Sequence, residues 1–154
     1  MNTSLKNKHR KMHRKIEERL LHFEKVGHAR PSVLFEELVF CILTPQSKAV
    51  SCDEAVRELK KHGLLFSGQA DEIAVVLSKK TRFHNNKAKY LVEAREKFLG
   101  DGFGRLADIT FAGSEQEARQ ELVKAVKGIG WKEASHYLRN VGRGSELAIL
   151  DRHI

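Results

Sequence analysis

The sequence predicts an all-α fold, and three observations carry that expectation. Apolar residues recur at three- and four-residue spacings from end to end. No segment keeps the apolar–polar alternation of a half-buried strand, and the breaks between periodic stretches fall on Gly, Pro or Ser. At 154 residues the chain is long enough to bury one ordinary core, so residues 1–154 are read as a single domain.

The elements follow in order. Ile16, Leu20 and Phe23 make the first apolar stripe, with Gly27 as its stop. Pro31 and Ser32 open a helix through Leu34, Leu38 and Ile42. Its stretch 38–43 is apolar on every side, the mark of a helix buried all round. Thr44-Pro45 ends it, because proline cannot continue a helix. Ser47 is placed to cap the next helix, whose stripe is Cys52, Ala55, Val56 and Leu59 and whose stop is Gly63. A short helix is expected around Ile73, Val76 and Leu77. A longer one runs from about Asn85 to Leu99, with Ala88, Leu91, Val92 and Phe98 inward. Ser114-Glu115-Gln116-Glu117 reads as a capping box that starts a helix burying Ala118, Leu122, Ala125 and Val126. The last helix begins near Trp131 and buries Ala134, Tyr137, Leu138 and Val141.

Composition narrows the function classes. No run of about 18 apolar residues spans a membrane, and the first six residues lack a secretory signal's apolar segment. A cytoplasmic protein is therefore expected. Cys41 and Cys52 sit inside helical patterns and read as buried thiols. Two cysteines cannot supply four thiolates to an iron–sulfur cluster or a structural zinc. His9 and His13 have ligand spacing but no third partner, so no side-chain metal site is expected. The formal charge is +8, with 28 basic residues against 20 acidic ones, which favours an anionic partner. Lys6, Lys8, Arg10, Lys11, Arg14 and Lys15 fall among the first fifteen residues with no acid between them. That segment, 1–15, reads as a basic arm or a helix start, and contact with phosphates and plain solvation are equally compatible with it.

The chemically informative stretch is the hairpin region within 115–142. An amphipathic helix ends in Gly128-Ile129-Gly130, and Trp131-Lys132-Glu133-Ala134 begins another at once. Glycine tolerates positive φ, so the triplet permits a very tight reversal. Ile129 would pin it to the core. Backbone N–H groups at the following helix start are suited to a phosphate. The turn's carbonyls could hold a monovalent cation bridging to that phosphate. On the triplet alone, a plain helix–helix turn would be the ordinary reading.

Its company changes the weight. The segment 128–134, followed by Leu150-Asp151-Arg152-His153-Ile154, resembles the signature of the helix-hairpin-helix base-excision glycosylases, relatives of endonuclease III. In that family's lyase members a lysine stands second after the hairpin, here Lys132, and an aspartate opens a later helix, here Asp151. Cys41-Ile42-Leu43-Thr44-Pro45-Gln46-Ser47 is similar to the segment that places a wedge residue in DNA. Phe83-His84-Asn85-Asn86-Lys87-Ala88-Lys89-Tyr90 resembles the helix preceding the hairpin half. The likeness covers roughly residues 30 to 154 and is nearest to the compact 8-oxoguanine glycosylase/lyases typical of archaea. Family chains continue past the aspartate with further helices, which this sequence does not contain.

The resemblance implies a helix-hairpin-helix glycosylase fold of two helical halves with a groove between them, acting as a monomer on double-stranded DNA that contains a damaged base. Base excision builds positive charge on the sugar, which a carboxylate such as Asp151 stabilises. A neutral Lys132 amine forms a Schiff base with the sugar, and β-elimination then cuts the strand. A lysine pKa near 10.4 requires desolvation or nearby positive charge, which Trp131, Lys127 and the helix start would supply. The chain can bring the pair together. About 16 Å of helix leads away from Lys132, and the eight residues 143–150 can return up to about 26 Å after a reversal at Gly142-Arg143-Gly144. The resemblance further implies Gln46 as the wedge that fills the gap left by an extruded base. His136 and Trp131 would border the base pocket. Lys124, Lys127, Arg139 and Arg143 stand near the hairpin as phosphate contacts. Two other readings remain open at this point: a glycosylase/lyase for oxidised pyrimidines, and a non-catalytic hairpin module, which would have no reason to keep Lys132 with Asp151.

Overall fold

The computed structural model describes residues 3–150, and the described residues are helical with no strand. Asp151 therefore lies outside the described residues. The helices are α1 (Thr3–Gly27), α2 (Pro31–Leu43), α3 (Ala49–Lys61), α4 (Leu64–Ser67), α5 (Ala70–Ser78), α6 (His84–Leu99), α7 (Gly104–Phe111), α8 (Glu115–Ala125) and α9 (Trp131–Asn140).

Helix α2 is the axis of the molecule. Pro31 occupies its first turn, where the missing N–H costs nothing. Leu34, Phe35, Leu38, Val39, Cys41, Ile42 and Leu43 are buried, and α3, α6, α7 and α9 pack around them. Each large side chain removed from water here contributes about 1.5–3 kcal/mol. Leu59, Leu77, Leu91, Phe98, Leu122 and Leu138 complete the core from the surrounding helices. The capping box forms as read: Ser114 Oγ accepts the Glu117 N–H at 3.1 Å, and the Glu117 carboxylate accepts the Ser114 N–H at 2.8 Å. Helix α9 ends in a Schellman motif. Gly142 is at φ +82°, its N–H reaches Arg139 O at 3.0 Å, and the Arg143 N–H reaches Leu138 O at 2.7 Å. This is the reversal expected at 142–144.

The structure departs from the sequence reading at four places. Helix α1 begins at Thr3, so most of the basic segment is helical. Its expected stripe is not a core stripe, because Ile16 (53%) and Leu20 (54%) are exposed and only Phe23 is buried. Two helices, α4 and α7, form in stretches that carry no clear helical signal. Ser47 does not cap α3, whose N-cap Lys48 makes no side-chain cap bond. Its hydroxyl serves a longer-range function described below. Arg143 does not face outward to phosphate: its guanidinium donates to Thr110 O and Gly113 O, both at 2.9 Å. With the buried Glu115, which accepts from Ser145 Oγ (3.1 Å) and the Glu146 N–H (2.8 Å), it fastens the segment after α9 to the α7–α8 junction.

Two cations are buried by being satisfied. Arg95 donates to Leu64 O, Leu65 O and Gly68 O, closing the end of α4. Lys87 is 3% exposed and donates to Leu43 O at the end of α2 and to Pro45 O and Ser47 Oγ just after it. Desolvation would forbid either charge without these acceptors.

Candidate active-site groove and hairpin

The hairpin is built as two helices joined by residues 126–130. Helix α8 closes when the Val126 N–H returns to Leu122 O at 2.9 Å. Gly128 then takes φ +89°, and a Cβ there would overlap the Tyr90 ring of α6. Both conditions exclude larger residues. Ile129 is buried in the core, as its position between the glycines implied. Gly130 starts α9 in extended backbone, and its N–H is held at 2.9 Å by the carboxylate of Glu133. The hairpin therefore already spends one donor on its own helix start. Gly128 is exposed, and Gly130 is half-buried.

The groove lies between the α2–α3 connection on one side and α9 on the other. It is a cavity of about 790 Å³, and its lining includes Gln46, Lys132 and His136. Gln46, some ninety residues away in sequence, therefore shares one space with Lys132 and His136. Gln46 is exposed and stands at φ +53°, an uncommon conformation for a side chain-bearing residue. Lys132 and His136 are one helical turn apart on α9, so they present the same face. His136 is half-buried. Its pKa is lowered, first by burial and then by the positive charges of Arg139 and Lys132. The groove thus holds a neutral imidazole near neutral pH.

Trp131 is placed differently. It is 54% exposed, stacks beneath the Arg119 guanidinium at 5.2 Å, and does not line the groove. Lys127 lies over the Tyr90 ring at 5.9 Å and 3.9 Å from Glu93. The two neighbours expected to tune Lys132 both turn elsewhere. Beside Lys132, the cations in the groove wall are Arg19, Lys48 and Arg139, and the first two carry no local sequence signal for that place. Phe40 was also missed. It belongs to the apolar run of α2 but is only half-buried, and it forms part of the same wall. Its signal was masked because an all-apolar run cannot show which face meets a cavity. Among the described residues no group of three His, Cys, Asp or Glu side chains gathers as a metal site, and no helix is long and apolar enough to cross a membrane.

This geometry has close counterparts. The family model for 8-oxoguanine DNA glycosylase matches residues 16–154. An 8-oxoguanine DNA glycosylase/AP lyase of Fusobacterium nucleatum is 44% identical over 95% of this chain and 68% of its own length. One from Saccharolobus solfataricus is 40% identical over 94% of this chain and 68% of its own length. The crystal structure of the Thermotoga maritima 8-oxoguanine DNA glycosylase superposes with a TM-score of 0.82 at 34% identity, covering 97% of this chain and 69% of that one. The Methanocaldococcus jannaschii 8-oxoguanine glycosylase/lyase, solved in complex with 15mer DNA containing 8-oxoguanine, superposes at 0.76 and 33% identity, covering 90% of this chain and 63% of that one. The chain thus spans about two thirds of the length of the proteins it matches. By the family model that matches it, its identity to these relatives and its superposition on their structures, the chain belongs to the 8-oxoguanine DNA glycosylase family and carries its helix-hairpin-helix fold.

Proposed function

We propose that this protein is a base-excision repair DNA glycosylase with AP lyase activity that removes 8-oxoguanine from double-stranded DNA. The observation that carries this reading is the meeting of Lys132, His136 and Gln46 in one groove beside the hairpin. A nucleotide extruded from the duplex enters the groove, and Gln46 fills the gap it leaves. The Lys132 amine displaces the base at the sugar's anomeric carbon, and the ring opens to a Schiff base. Loss of a proton from the adjacent carbon expels the 3′ phosphate. Asp151 is the carboxylate assigned to stabilise the positive sugar. Gly128, Ile129 and Gly130 present the hairpin to a phosphate, and the hairpin carbonyls are those assigned to a monovalent cation there. The protein acts on DNA as a monomer. Trp131 is assigned to the rim outside the groove rather than to the base pocket.

Borohydride trapping tests the reading. Duplexes carrying 8-oxoguanine or an abasic site are incubated with the protein and with Lys132→Gln. The expected result is a covalent complex with both duplexes that disappears in the variant. Trapping on the abasic duplex alone would keep the lyase chemistry and remove 8-oxoguanine as the substrate. DNA binding with no trapping on either would leave only the non-catalytic hairpin module.

A further inference from the structure

Lys87 is a buried charge that the proposed chemistry leaves unused, and it is the one held against the turn that carries Gln46. Its ammonium has three N–H donors, and it meets three acceptors on the connection that follows α2: Leu43 O at 2.8 Å, Pro45 O at 2.7 Å and Ser47 Oγ at 3.0 Å. Ser47 Oγ also accepts the Arg82 N–H at 3.0 Å, tying the same turn to the segment before α6. These acceptors lie more than forty residues from Lys87 in sequence, except that Ser47 is forty away.

The connection is a β-turn closed by the Ser47 N–H to Thr44 O at 3.0 Å. Proline stands second and a residue with positive φ third, which is the pattern of a type II turn. The same closing bond is compatible with a type I turn, in which the central Pro45–Gln46 peptide is flipped and the third residue returns to negative φ. Glutamine in the third position favours the flip, since type II turns prefer Gly or Asn there. The carbonyl that would swing away is Pro45 O, the closest of the three Lys87 acceptors.

We infer that Lys87 is a positioning residue for base extrusion: by gripping the Pro45 carbonyl it selects the type II form of the turn and aims Gln46 at the groove. This rests on the reading of Gln46 as the wedge. Lys87 need not touch DNA, and its effect passes wholly through the Gln46 backbone. Arginine cannot substitute, because its planar donors do not match three acceptors gathered around one nitrogen.

The test is a double-mutant cycle on the full chain with Gln46→Ala and Lys87→Met. The readouts are 2-aminopurine fluorescence beside 8-oxoguanine in a duplex and the single-turnover excision rate. Each single variant is expected to lower extrusion and rate about tenfold, a misplacement effect, and the double variant to be no slower than either. Losses that multiply would overturn the inference, since Lys87 would then act apart from Gln46. A normal Lys87→Met protein beside an impaired Gln46→Ala protein would overturn it while leaving the wedge. A normal Gln46→Ala protein would remove the wedge and the inference together. Should Lys87→Met not fold, Ser47→Ala removes one acceptor only. It is expected to give a smaller loss that vanishes in the Gln46→Ala background, and persistence of that loss would count against the inference. A measurement free of DNA is the sign of the Gln46 φ by NMR couplings. It should change in Lys87→Met, and a retained positive φ would overturn the inference outright.

Discussion

A single imidazole shows how the groove sets protonation. His136 has its pKa lowered by burial, with Arg139 and Lys132 adding to the effect. The folded state therefore binds fewer protons than the unfolded one below the ordinary histidine value of about 6.5. The associated stability is fully present above that value and is lost as pH falls through the lowered folded pKa. NMR titration should place the His136 midpoint below about 6.5. Between pH 8 and 5, urea denaturation of His136→Gln should show a shallower acid loss than the parent. An equal slope in the two proteins would assign the acid sensitivity to other groups. At this scale the sequence was only partly legible. Lys132, His136 and Gln46 could be singled out through the family resemblance, whereas the burial of Lys87 and Arg95 could not be foreseen. Their acceptors are backbone carbonyls far along the chain, and no side-chain signature announces a carbonyl. The outward placement of Trp131 has a similar cause: Arg119, one helix earlier, offers its ring a surface partner.

Among the elements, the hairpin is the least tolerant. Gly128 has positive φ and Tyr90 packed where a side chain would begin. Gly128→Ala should cost about 1–3 kcal/mol from backbone strain alone, and more from the overlap. A thermal melt should register it as a clear loss. Adding Tyr90→Ala should relieve the overlap but not the strain, so part of the melting temperature returns. Full recovery would show that φ contributes nothing, and no recovery would show that the ring yields freely. Strong local signals made most elements readable. The apolar run in α2, the Ser114 capping box and the inward set of α9 each specify a helix independently of context. Helices α4 and α7 lacked such signals. Helix α4 is a single turn, and α7 follows a left-handed Phe103, a residue type that gives no hint of such a turn. The stripe of α1 misled because periodicity reports that a helix has an apolar face, not that the fold covers it.

Across the whole molecule, charge and cohesion are unevenly shared. Helix α1 runs 25 residues, about 37 Å. Only Phe23 is buried on it, and it meets α2 and α9. Exposed Leu5, Met12, Ile16 and Leu20 share its length with the six cations of the first fifteen residues. Its cohesion is therefore concentrated near Gly27. Hydrogen exchange should find amides of residues 3–18 exchanging far faster than those of α2, which open only with the core. Protection of 3–18 equal to α2 would mean that this helix folds as one unit with the body.

The buried sulfurs carry a last implication. Cys41 and Cys52 are both fully buried, and burial raises the pKa of each thiol. Oxidants attack thiolates, and neither residue offers one to solvent. A protein whose proposed substrate is itself an oxidation product thus keeps its cysteines out of an oxidant's reach. Among the described residues the sulfur left facing such chemistry is the thioether of Met12, 58% exposed on α1 and outside the groove. Oxidative wear would accordingly mark this helix first and leave the repair site intact.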